Sequence, residues 1–145
     1  MKIASSAGTA VFAAALAICP AYAGTGQSAK CDVHNAPCFA VTDTGMEVAF
    51  SISPKPVRIM EDLEFTVKLS RKGKPVTGAA LVLDLSMPGM FMGNNQPKLR
   101  EEPGGQYRGH GVIPRCVTGR KTWKAFIAAE RSGIVEKVSF LFEVQ

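Results

Sequence analysis

The chain has 145 residues, 46% of them hydrophobic, and 17 Lys and Arg against 12 Asp and Glu, for a formal net charge of +5. That length supports a single core. The basic residues are scattered and not interleaved with aromatics, so they read as a solvated surface and argue against nucleic-acid binding.

The chain opens MKIASSAGTAVFAAALAICPAYAG. Lys2 supplies a positive start, Ala7 to Ile18 a small and apolar run, and Ala21-Tyr22-Ala23 a small-x-small cleavage site before Gly24. Residues 1–23 are therefore expected to be a cleaved signal peptide. The run is about a dozen residues, short of the roughly 20 that span a bilayer, although an uncleaved anchor is the alternative. A lipid attachment at Cys19 is disfavoured by Ile18 before it and Pro20 after it. Cleavage removes one basic residue, leaving 16 against 12, or +4. No later apolar run approaches membrane-spanning length, so the expectation is a soluble periplasmic protein. Cys31, Cys38 and Cys116 then remain where disulfides persist. With an odd number, one thiol is unpaired, ligand-bound or paired between chains.

Residues 24–45 read as a flexible leader carrying the loop Cys31-Asp-Val-His-Asn-Ala-Pro-Cys38, and 46–145 as the folded domain. Met46, Val48, Phe50 and Ile52 alternate with smaller or polar residues, and so do Leu63, Phe65, Val67 and Leu69. Leu81, Leu83 and Leu85 continue the pattern. A Gly- and Pro-containing stretch runs from Met87 to Pro97, and a short strand is expected over Lys98 to Glu102. Pro103-Gly104-Gly105 turns the chain into Gln106 to Ile113, with Tyr107 and Ile113 on one face and Arg108, His110 and Val112 on the other. Trp123, Ala125 and Ile127 follow, then Val138, Phe140, Phe142 and Val144. About seven strands with turns at short spacing predict an all-β antiparallel sandwich.

The most distinctive segment is Asp84-Leu-Ser-Met87-Pro-Gly-Met90-Phe-Met92. A thioether is a soft, neutral donor that suits Cu(I) and needs no deprotonation. Pro88-Gly89 is a tight-turn pair that lets Met87 and Met90 converge, and Met90 and Met92 share a face if the segment is extended. The alternative is packing, because methionine fills irregular gaps. His110 lies between Gly109 and Gly111, where a second backbone or a ligand can approach closely. Its imidazole would complete a mixed Met/His site, the alternative being a surface histidine. Cys31 and Cys38 are too far apart for zinc-finger spacing. With His34 beside them, they can close a small disulfide loop, one of them can pair with Cys116, or they can bind a metal as thiolates. A free Cys116 would join the metal site or serve as a small buried hydrophobe. Arg115 and Arg120 read as solvated. No Gly-x-Ser-x-Gly elbow or phosphate loop is present, and the reading is of a protein that is not an enzyme and has no small-molecule substrate.

Leu81-Val-Leu-Asp-Leu-Ser-Met-Pro-Gly-Met-Phe-Met-Gly93, Gly-Gln-Tyr-Arg-Gly at 105–109 and Gly-Arg-Lys-Thr-Trp at 119–123 resemble the YtkA-like family. The overall layout is similar to that of FixH-like domains. The resemblance implies an immunoglobulin-like sandwich and an association with copper handling or oxidase assembly. The chain departs from it in its three mature cysteines and, unlike FixH-like proteins, in lacking an anchor. The sandwich also resembles CopC-like copper carriers, without their N-terminal histidine. Two functions follow as expectations. One is a periplasmic copper carrier or chaperone using Met87, Met90, Met92, His110 and Cys116. The other is a metal-free interaction module assisting a membrane-protein complex such as an oxidase.

Overall fold

The computed structural model describes residues 28–145; the expected signal peptide, its cleavage site and the first leader residues lie outside the described residues. Ten strands form among the described residues: β1 Ala29–Lys30, β2 Cys38–Val41, β3 Met46–Ser53, β4 Leu63–Arg71, β5 Lys74–Pro75, β6 Ala80–Ser86, β7 Arg100–Glu102, β8 Gln106–Gly111, β9 Thr122–Arg131 and β10 Ile134–Glu143. They build two sheets, ordered β1-β10-β9-β6 and β2-β3-β4-β8-β7, with β5 added to β4. The described fold is an all-β sandwich.

The alternation read from sequence supplies both inner faces. Leu63, Phe65, Val67 and Leu69 of β4 are fully buried, as are Phe50 of β3 and Trp123 and Phe140 of β9 and β10. The two sheets meet through aromatic packing. Phe50 stacks on Phe140 with ring centroids 5.8 Å apart and leans on Phe142 at 6.2 Å. Full burial of such a side chain contributes about 1.5–3 kcal/mol. Two hairpins turn on Lys72-Gly73 and Ser132-Gly133, all four residues having positive φ. That is the geometry of the tight turns that match strand twist. Tyr107 points inward from β8, and its hydroxyl accepts a hydrogen bond from Ala79 N at 3.1 Å. Burial raises the Tyr107 hydroxyl pKa.

The leader differs from expectation. Residues 29–30 and 38–41 are sandwich strands, not a flexible tail. β1 runs parallel to β10 in one sheet, and β2 pairs with β3 in the other. The Cys31–Cys38 disulfide, with its Cα atoms 5.6 Å apart, closes the crossing between them. Inside that crossing Val33 is fully buried. His34 Nδ1 accepts a hydrogen bond from Val57 N at 3.0 Å. His34 therefore holds the leader against the 54–62 connection.

Candidate metal centre

β6 and β9 are antiparallel neighbours, with Ser86 opposite Lys124. The chain leaving β6 and the chain entering β9 therefore lie at the same end of the sandwich. The first carries Met87, Met90 and Met92, and the second carries Cys116.

Pro88 and Gly89 make the tight turn. Gly89 has φ 75°, Met90 N donates to Met87 O at 3.1 Å, and the two methionines form an isolated antiparallel bridge. Proline then glycine at the two central positions suits a turn that needs positive φ at the second. Met87 turns inward and is buried with the core, whereas Met90 and Met92 are half-buried and pack against its edge.

Cys116 Sγ lies 3.5 Å from Met90 Sδ and 3.1 Å from Thr118 Oγ1. Two sulfurs bound at about 2.3 Å to one tetrahedral ion stand about 3.8 Å apart. The pair is therefore within a few tenths of an ångström of a chelating separation. Cys116 is free, since the other two described cysteines bond to each other. Its thiol is covered but shallow. Its pKa lies below the ordinary cysteine value because the Thr118 hydroxyl hydrogen-bonds the sulfur. The Thr118 backbone acts in the same direction; burial opposes it, and the Arg120 backbone and charge add lesser contributions that lower the value again. The net shift favours the thiolate, the form that binds metal.

Thr118 and Arg120 were not singled out as site residues from sequence. The Cys-Val-Thr-Gly turn is the signal that would have indicated Thr118: Gly119 N donates to Cys116 O at 3.0 Å, which curls the hydroxyl back to the sulfur. Arg120 is exposed, as read from sequence, but its Nη1 comes within 3.8 Å of where a Cβ at Gly89 would sit, so it lies over the methionine turn.

His110 is placed elsewhere. It projects from the outer face of β8, with Nδ1 3.6 Å from Asp62 and Nε2 3.7 Å from Glu64. Its polar neighbours are carboxylates, not sulfurs. The glycines beside it serve a second backbone. A Cβ on Gly109 would overlap the Lys98 carbonyl oxygen, and one on Gly111 would come within 3.0 Å of Pro97. These contacts seat residues 95–99, the return leg of the methionine connection. Among the described residues no group of three or more His, Cys, Asp or Glu side chains is arranged to hold a metal ion. Thioethers fall outside that set, so the sulfur pair is a soft-donor candidate and not a hard-donor cage.

A cleft of ≈ 270 Å³ opens at the other end of β9, lined in part by Thr44, Met46, Arg71, Arg131 and Glu136. The Arg71 guanidinium is closed onto Glu136 at 3.0 Å. No known family model matches the chain, and no curated protein or solved structure shows significant similarity to it.

Proposed function

We propose that the protein is an exported, non-catalytic carrier of a soft metal ion, and that copper(I) is its cargo. The observation that carries this reading is the 3.5 Å separation of Cys116 Sγ and Met90 Sδ. A thiolate and a thioether together give Cu(I) a neutral complex of two soft donors. Met92, half-exposed two residues beyond Met90, is the candidate third ligand. Met87 supports the turn from within the core. His110 stands outside this set, because its ring faces Asp62 and Glu64. The resemblance to YtkA-like domains fits an immunoglobulin-like carrier in the periplasm.

Titration of the metal-free protein with Cu(I) against a competing chelator tests the reading. Cys116→Ser and Met90→Leu are each expected to weaken binding about 100-fold or more, since even outer-shell changes at metal sites cost 10–100-fold. X-ray absorption of the loaded protein is expected to show a sulfur-only first shell. Wild-type affinity in both variants removes the assignment.

A further inference from the structure

The end of the sandwich that carries the sulfurs also exposes its apolar side chains. Phe91 is 87% exposed, Val117 94% and Met60 61%. Met60 N donates to Ile113 O at 2.9 Å, which ties the 54–62 connection to the 112–121 connection. The Met90–Cys116 contact ties the 87–99 connection to the same segment. Phe91 and Val117 are the chain neighbours of that sulfur pair. Met60 holds φ 61°, a conformation that glycine or asparagine adopts at less cost, yet a long apolar side chain is kept there.

The same connections are basic. Residues 54–62, 87–99 and 112–121 contain six Lys or Arg and two Asp or Glu, a surplus of four out of the chain's formal +5. Arg58 faces Glu61 at 3.8 Å, and Asp62 lies against His110. Lys55, Arg115, Arg120 and Lys121 are exposed and make no ion pair among the described residues. Projecting apolar tips set in unpaired cations complement an anionic lipid surface, where apolar groups enter the acyl boundary and cations meet phosphate. A protein partner would need a matching pocket for each tip; a fluid bilayer accommodates them all.

We propose that this end of the sandwich docks on an anionic phospholipid membrane, with Phe91 and Val117 entering the interface and Lys55, Arg115, Arg120 and Lys121 engaging lipid phosphates. Docking does not rest on metal binding, because none of Phe91, Val117, Lys55, Arg115, Arg120 and Lys121 is a proposed metal ligand. It would hold the Cys116–Met90 pair at the bilayer surface.

The test expresses the full chain, reads the N terminus of the product by mass spectrometry, and measures partitioning of metal-free protein onto vesicles. Phosphatidylglycerol mixed with phosphatidylcholine is compared with phosphatidylcholine alone. Wild type is expected to bind the anionic vesicles, weakly at high salt, and to leave the neutral ones. Arg115→Gln with Lys121→Gln should lower partitioning about 25-fold, at about fivefold per base near an anionic surface. Phe91→Ser with Val117→Ser should lower it at least about tenfold. Unfolding midpoints equal to wild type establish that these surface variants are folded. A second measurement is independent of any leader left on the chain. F91W is expected to shift its emission to the blue on anionic vesicles and to be quenched by brominated lipid, over a constant background from the fully buried Trp123. Equal binding to both lipids, indifference to both variant pairs, or an unshifted F91W spectrum overturns the proposal and leaves the face to an acidic protein. Loss of copper binding alone leaves it standing.

Discussion

Gly109→Ala tests whether the return leg of the methionine connection is seated as described. Gly109 is buried in β8 opposite Phe65 of β4. An added Cβ would overlap the Lys98 carbonyl oxygen and lie 2.9 Å from Leu99 Cδ2. The leucine tip can rotate away, but the carbonyl can move only if residues 95–99 lift. That segment is held by Leu85 N donating to Asn95 O at 2.8 Å and Asn95 Nδ2 donating to Val112 O at 3.0 Å. Overpacking costs about 1–3 kcal/mol. The two bonds, at about 1 kcal/mol each, and part of the Leu99 burial set the ceiling reached by peeling the segment off. The expected loss is about 3 kcal/mol, or roughly 10 °C in midpoint for a domain of this size. Urea unfolding should show a lower midpoint with an unchanged slope. Gly111→Ala is the internal comparison. Its nearest obstacles are side-chain atoms, Pro97 Cγ at 3.0 Å and Phe65 Cε2 at 3.3 Å, so it should cost about 1 kcal/mol. Gly109→Ala should also speed alkylation of Cys116, because lifting 95–99 loosens the loop that carries Met90. A Gly109→Ala protein as stable as Gly111→Ala would refute the close approach of Lys98.

Other consequences can be measured on the same material. Replacing Cys31 and Cys38 together by serine should cost about 2–3 kcal/mol in chemical unfolding, the chain-entropy value for a short closed loop; an unchanged midpoint would mean the crossing is held without the bond. His34→Ala strands the amide of fully buried Val57 and should cost about 1–3 kcal/mol, whereas His34→Asn, which keeps an acceptor, should recover part of it. The Cys116 thiol pKa is lowered chiefly by Thr118, so its alkylation rate should rise at a lower pH than that of an unfolded cysteine. Thr118→Val should move the profile upward. The linked effect on stability has a definite sign: as pH rises from the lowered folded value to the ordinary one, the unfolded chain holds more protons and the fold gains stability. A Thr118→Val profile identical to wild type would dismiss the hydroxyl as the cause.

The strand faces were legible because alternation is a local property. Met46 to Ile52, Leu63 to Leu69 and Phe140 to Val144 place every second residue inward whatever the partner strand, and they are buried as expected. The Pro88-Gly89 turn was legible for the same reason, since its φ requirement lies within the four residues themselves. The first strands were not. Ala29 and Lys30 are both exposed and carry no periodic pattern; they are a strand only because the edge of β10 supplies the hydrogen bonds. Sequence also left the cysteine pairing open. Tertiary structure joins Cys31 to Cys38, and so Cys116 stays free among the described cysteines.

The site divides in the same way. Soft donors on an all-β chain were evident from residue type alone. Which donors meet is a matter of strand order. Met90 and Cys116 are 26 residues apart and touch because β6 and β9 lie side by side. His110, closer to Cys116 along the chain, sits on the outer face of β8 in the other sheet and turns toward carboxylates. Side-chain chemistry and the pleat are carried residue by residue, whereas proximity between connections exists only once two sheets have chosen their neighbours.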